Sequence, residues 1–141
     1  MRIADVLRNK GNAVATVEPG ATVSQLISEL ASHNVGALPV VDGGRIVGIV
    51  SERDVVRRLH AGGPALLEAR VADIMTTEVT TCSPSDDVTD LAAVMTSRRF
   101  RHLPVVVEGE LAGIVSIGDL VKARIDLLES ERAQLQSYIV G

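Results

Sequence analysis

Apolar positions along the chain change period in a fixed order, and the order occurs twice. Val14 to Val17 is a short β-prone run stopped by Pro19. Behind Thr22, a residue type that caps helices, Val23, Leu26, Ile27 and Leu30 recur at helical spacing. Past Gly36 the runs Ala37 to Val41 and Ile46 to Val50 are nearly continuous in apolar character, as in strands covered on both faces. Between them Asp42-Gly43-Gly44-Arg45 carries the Asp-Gly step of a hairpin. Ser51 then opens a second helix with Val55, Val56 and Leu59 on one side. The predicted order is β-α-β-β-α, and Val79 to Cys82, Val88 to Met95, Leu103 to Val107, Leu111 to Val115 and the helix after Ser116 repeat it.

The repetition holds residue by residue. Val14 to Val55 aligns without a gap on Val79 to Leu120 at a constant offset of 65, with 16 of 42 positions identical. Upstream, Arg2-Ile3-Ala4-Asp5-Val6-Leu7 matches Arg70-Val71-Ala72-Asp73-Ile74-Met75 at an offset of 68, so the first copy has a longer connection before its first strand. Each unit is expected to carry its own lead-in. Neither copy is long enough to bury a good core alone, so the two are expected to form one α/β (α+β) module of two packed repeats, with three-stranded half-sheets pairing through their helices. The boundaries predicted are 1–60 for the first repeat, 61–69 for a linker around Ala61-Gly62-Gly63-Pro64, 70–122 for the second repeat and 123–141 for a helical tail.

In the tail, Val121, Leu128 and Leu135 alternate with Ile125, Arg132 and Ile139 at heptad spacing. So few heptads with an arginine in the seam make a poor free coiled coil. The tail is expected to pack on its own module or on a second copy in a homodimer.

Composition narrows the possibilities. The 141 residues are 46% hydrophobic with one Phe, one Tyr and no Trp, so the interior is aliphatic and stacking of bases on aromatic rings is not expected. A net charge of −4 gives no overall attraction to nucleic acid or an anionic membrane. No apolar run approaches the ~18 residues of a membrane span, and Met1 to Val14 has no signal-peptide core, which predicts a cytoplasmic protein. The single Cys82 aligns with Val17 and is expected to be a small buried residue. No His, Cys or carboxylate pair has metal-ligand spacing and there is no P-loop or nucleophile motif, so an enzyme is not expected. His33 and His60 sit near helix ends, where their dipole interaction is favourable.

Leu38-Pro39-Val40-Val41, Gly48-Ile49-Val50-Ser51 and Asp54 in one copy, with Leu103-Pro104-Val105-Val106, Gly113-Ile114-Val115-Ser116 and Asp119 in the other, make the chain resemble a tandem pair of CBS domains, or Bateman module, over roughly Met1 to Val121. The resemblance implies a regulatory module that binds adenosine compounds, such as AMP, ADP, ATP, NAD or S-adenosylmethionine, in two clefts between the half-domains. It implies no catalytic cofactor. Its occupancy would be signalled to an unknown regulated protein.

Site residues follow from the same resemblance. Ser51 and Ser116 start helices whose free N–H groups and dipole favour phosphate, and Asp54 and Asp119 would accept bonds from a ribose diol. Adenine would lie on Val14, Ala15, Thr16, Gly36, Ala37 and Pro39 in the Asp54 cleft, and on Thr80, Thr81, Arg101, His102 and Pro104 in the Asp119 cleft. Arg101 and His102, in the basic stretch Arg98-Arg99-Phe100-Arg101-His102, would hold phosphate and could serve both clefts, with Arg53 as a further ligand. The second copy has Gly118 opposite Arg53, so the two sites are expected to differ. From spacing alone, Ser-x-x-Asp is also a capping box. Two other readings stand beside the sensor: an interaction module with vestigial clefts and a working tail helix, and nucleic-acid binding through Arg98 to Arg101.

Overall fold

The structure is a computed structural model that describes residues 1–11 and 14–140. Its helices are α1 (Ile3–Lys10), α2 (Val23–His33), α3 (Glu52–Gly62), α4 (Val71–Ile74), α5 (Val88–Arg98) and α6 (Ile117–Val140), with a 3-10 turn over Gly63–Glu68. Its strands are β1 (Ala37–Asp42), β2 (Arg45–Ser51), β3 (His102–Val107) and β4 (Glu110–Ser116).

Local chemistry accounts for the element ends. Thr22 caps α2 in a reciprocal box: Gln25 N donates to Thr22 Oγ1 at 3.1 Å and Thr22 N to Gln25 Oε1 at 2.9 Å. Asp87 caps α5 by accepting from Asp90 N at 3.1 Å. At the β1-β2 turn Gly43 and Gly44 take positive φ of 59° and 82°, as a tight hairpin requires.

β1 pairs antiparallel with β2, and β3 with β4, in matching registers with a bulge at Val40/Val41 and at Val105/Val106. The half-sheets are two-stranded, not three-stranded as the apolar runs predicted. Val14 to Val17 and Val79 to Cys82 each reach their hairpin through a single parallel bridge, Val17 to Val40 and Cys82 to Val105. Pro19 and Pro84 follow two residues later and end the extended run before a ladder can form. The carbonyls of Pro39 and Pro104 receive these bridges from Val17 N at 3.1 Å and Cys82 N at 2.9 Å, so both prolines serve the fold.

The lead-ins are exchanged, which corrects the expectation that each unit carries its own. Ile3, Val6 and Leu7 of α1 are buried with Cys82, Leu91, Met95, Leu103 and Val115 of the second copy. Val71 and Ile74 of α4 are buried with Val23, Leu26, Leu38 and Val50 of the first. The backbone follows the same plan: Ile3 N and Ala4 N donate to Asp86 O and Pro84 O, both at 2.9 Å, while Val71 N and Ala72 N donate to Ala21 O at 2.8 Å and Pro19 O at 3.0 Å. Residues 1–60 therefore do not pack as one unit, although the repeat boundaries in sequence are unchanged. Cys82 is buried, and burial pushes its thiol up to about 12. The tail is no separate segment, because α6 runs unbroken through residue 122 for 24 residues. Gly141 lies outside the described residues.

Two glycines permit the exchange. A Cβ on Gly48 would lie 2.7 Å from Met75 Sδ and 2.9 Å from Thr76 O, and one on Gly113 would lie 2.8 Å from Leu7 Cδ2. The obstruction at Gly48 includes backbone that is itself bonded to Ile49, whereas Leu7 can change rotamer. Gly48→Ala is therefore expected to destabilise by about 1–3 kcal/mol and Gly113→Ala by less, as measured by urea unfolding of the two variants side by side.

Candidate functional site

Exchange of the lead-ins routes the chain after α4 across the first copy before it enters the second. Thr76 pairs with Ile49 of β2 through reciprocal backbone bonds of 3.0 and 2.9 Å, and the chain then passes Glu78, Val79 and Thr80. Between that segment, β1-β2 and the basic stretch before β3 lies a cleft of about 720 Å³, within the range of small-molecule sites.

Of the residues expected around Asp54, the cleft gathers Gly36, Ala37, Ser51, Arg53 and Asp54. It also takes Thr80, which the sequence had placed with Asp119, and Arg101 and His102, which were expected there with the capacity to serve both clefts. Val14, Ala15, Thr16, Pro39, Thr81, Pro104, Ser116 and Asp119 do not line it. Ala15 instead packs on the first core. The shift of Thr80 follows from the crossover: it lays the segment entering the second copy beside the first copy's Asp. Ile49, Glu52, Arg57, Thr76, Glu78 and Arg99 also line the cleft and were not anticipated as site residues. Only the offset of 68 between the lead-ins hinted that two connecting segments approach equivalent places, and nothing in it says that they cross.

Both Ser-x-x-Asp motifs form capping boxes. Ser51 N donates to Asp54 Oδ2 at 2.8 Å, Ser51 Oγ to the same oxygen at 3.0 Å, and Asp54 N to Ser51 Oγ at 3.3 Å. Ser116 N donates to Asp119 Oδ2 at 2.8 Å and Asp119 N to Ser116 Oγ at 3.1 Å. The free N–H groups expected at these helix starts are mostly engaged, since Glu52 N donates to Gly36 O at 3.0 Å and Ile117 N to Arg101 O at 2.9 Å. Positive charge at the cleft comes instead from Arg53, Arg57, Arg99 and Arg101, against the carboxylates of Glu52, Asp54 and Glu78. Arg98 lies apart from this group, stacked 5.6 Å from the Phe100 ring. Arg99 holds φ at 61°, a conformation costly for a β-carbon-bearing residue, where the first copy has Asn34 at 51°.

The two aspartates differ in their surroundings. Asp54 has no ion-pair partner among the described residues. Asp119 Oδ2 accepts from Lys10 Nζ at 2.6 Å, and the same ammonium donates to Ile114 O at 3.0 Å. Burial pushes the Asp119 carboxyl up, but the Lys10 hydrogen bond and the Ser116 N–H outweigh it and hold the group below the usual 3.8. His102 lies against Gly36 in the cleft: a Cβ on Gly36 would lie 3.4 Å from its ring and 3.2 Å from Glu52 Oε1. Burial, and then the charge of Lys10, push the imidazole below 6.5 despite the opposing pull of Asp119 and Glu52. Among the described residues no His, Cys, Asp and Glu cluster could hold a metal ion, and no helix is long and apolar enough to cross a membrane.

Known proteins share this architecture. The model of the CBS domain family matches residues 3–61 and 71–126. The chain is 35% identical over 150 residues to the mitochondrial CBS domain-containing protein CBSX3 of Arabidopsis thaliana, covering 99% of this chain and 72% of that one. It superposes with a TM-score of 0.85 and 41% identity on the crystal structure of the CBS-domain containing protein ATU1752 from Agrobacterium tumefaciens, covering 88% of this chain and 99% of that one. It shares its fold, at a TM-score of 0.73 and 23% identity over 87% of this chain and 94% of the other, with the CBS domain pair of protein MJ0100 in complex with 5′-methylthioadenosine and S-adenosyl-L-methionine. Two family matches, a relative of similar layout and a repeat held together by exchanged lead-ins lead to one conclusion: the chain belongs to the CBS domain family and carries that domain as a tandem pair.

Proposed function

We propose that this CBS pair is a sensor that binds an adenine nucleotide in the Asp54 cleft and passes its occupancy to a partner protein. The observation that carries the reading is the union, in one cleft of about 720 Å³, of a carboxylate without an ion-pair partner and four arginines. A carboxylate accepts from a ribose diol, and guanidinium groups take phosphate in bidentate geometry. Thr80, Ala37 and Ile49 supply a small, largely apolar wall of the kind a purine ring occupies. The arginines favour AMP, ADP, ATP or NAD over S-adenosylmethionine, whose tail is cationic at sulfur. That MJ0100, with the same fold, holds adenosine derivatives supports the ligand class. Binding can signal only if the nucleotide prefers one arrangement of the two copies over another. A nucleotide touching Asp54 on one side and Arg101 on the other spans both copies, so it has a means to prefer one.

The homodimer and the interaction reading rest on α6. Its stripe of Val121, Ile125, Leu128, Leu135 and Ile139 is 49 to 84% exposed, so the tail does not bury it on its own module. A second copy of α6 is the occupant of matching pattern, and the regulated partner would then meet a dimer.

Three outcomes are expected. In a thermal-shift panel, AMP or ATP at 100 times its dissociation constant stabilises the protein by roughly 2.7 kcal/mol, and Asp54→Ala abolishes the response; a response retained in that variant, or none with any nucleotide, sinks the reading. The pH dependence follows from His102. Phosphate beside it favours the imidazolium, raising a pKa that is depressed in the free protein. Protons are then taken up on binding, and ATP affinity rises as pH falls through the interval between the bound and free values. His102→Gln should flatten that rise in calorimetric titrations run from pH 7.5 to 5.5. For α6, Leu128→Lys with Leu135→Lys is expected to convert a dimer to a monomer in sedimentation equilibrium.

A further inference from the structure

Lys10 has no counterpart in the second copy. Six residues, 8–13, separate Leu7 from Val14, whereas three, 76–78, separate the matching Met75 from Val79. The longer connection lets α1 run on through Lys10 for eight residues, while α4 stops after four. That extra turn carries the Lys10 ammonium to Ile114 O and Asp119 Oδ2 at 3.0 and 2.6 Å. Ile114 and Asp119 match Ile49 and Asp54 at the offset of 65, and those two residues line the open cleft. Lys10 therefore holds, in one half of the module, the carboxylate that a ligand would meet in the other, anchored on a backbone carbonyl whose counterpart, Ile49 O, is taken by Thr76 N.

We infer that Lys10 is a built-in plug for the second cleft, its ammonium standing beside Asp119 where a nucleotide's ribose would, so that the module takes one nucleotide at Asp54 and none at Asp119. The inference rests on the nucleotide reading of the Asp54 cleft. An ammonium on the carboxylate fills the space of the incoming hydroxyls. Its removal from Asp119 would leave a partly buried carboxylate, 26% exposed, without its counterion. Ile114 O holds the same ammonium from the other side, so swinging Lys10 out breaks two bonds together. The first cleft has Thr76 bonded to Ile49 at the corresponding place, a backbone contact that leaves Asp54 open.

The test is calorimetric titration of ATP and AMP into the full chain, its Lys10→Met and Lys10→Ala variants and the Lys10→Met/Asp119→Asn double variant, with melting curves to establish that each is folded. One equivalent in the unsubstituted protein, a second in either folded Lys10 variant, and its loss in the double variant are expected. Two equivalents in the unsubstituted protein overturn the inference, as does the absence of any new site in both variants. So does weaker binding with unchanged stoichiometry, which would make Lys10 a phosphate ligand. If the unsubstituted protein binds neither nucleotide, the sensor reading of the Asp54 cleft fails. The plug is then decided by the Lys10 variants alone: a single Asp119-dependent equivalent upholds it, and none overturns it.

Discussion

Each lead-in segment of this protein is hydrogen-bonded and buried against the copy that it does not precede, and that exchange governs the remaining geometry. A β-hairpin with one helix on either side leaves an apolar face that its own sequence cannot cover, and a two-stranded sheet is marginal in water by itself. Ile3 and Leu7 close that face for the second copy, as Val71 and Ile74 do for the first. Each such side chain contributes about 1.5–3 kcal/mol on burial, so neither half would be expected to hold together once separated from the other's lead-in. The glycines at 48 and 113 answer the same requirement, since the lead-in side chains lie where their β-carbons would be.

The crossover also makes the site. Because the chain must travel from α4 on the first copy to the hairpin of the second, its connecting segment forms one wall of the cleft at Asp54. The stretch Arg99 to His102, preceding β3, forms another. Residues from both copies thus surround one volume, and anything bound there is sensitive to their relative placement. Arg99 retains a left-handed backbone at this wall, a local cost that the capped helix α5 and the following strand hold in place.

Pseudo-symmetry is broken in length, with α1 eight residues long and α4 four, and through it in charge. Both Ser-x-x-Asp motifs cap their helices with nearly the same distances, so capping cannot distinguish them. The difference is the neighbour that each aspartate has: an ammonium at Asp119 and no ion-pair partner at Asp54 among the described residues. The notion that a cap and a ligand site are rival interpretations dissolves at Asp54, where only Oδ2 is engaged by the cap.

The repeat, its hairpins and its helices were legible in the sequence because they depend on local signals. Asp42-Gly43-Gly44 sets turn geometry, Thr22 and Ser51 cap helices, and the period of the apolar residues separates helix from strand. The family resemblance rested on these same residues, in particular the paired Leu-Pro and Gly-Ile-Val-Ser segments. Two properties were beyond local reading. An offset of 68 shows that Arg2 to Leu7 and Arg70 to Met75 are equivalent, but equivalence is indifferent to whether each packs on its own copy or the other's. Only the tertiary structure decided that, and with it moved Thr80 to the side of Asp54, in one cleft with Arg101 and His102. Likewise a lysine at the end of a lead-in carries no sign of its partner 109 positions away, because ion pairing depends on distance in space, which the folded chain alone sets.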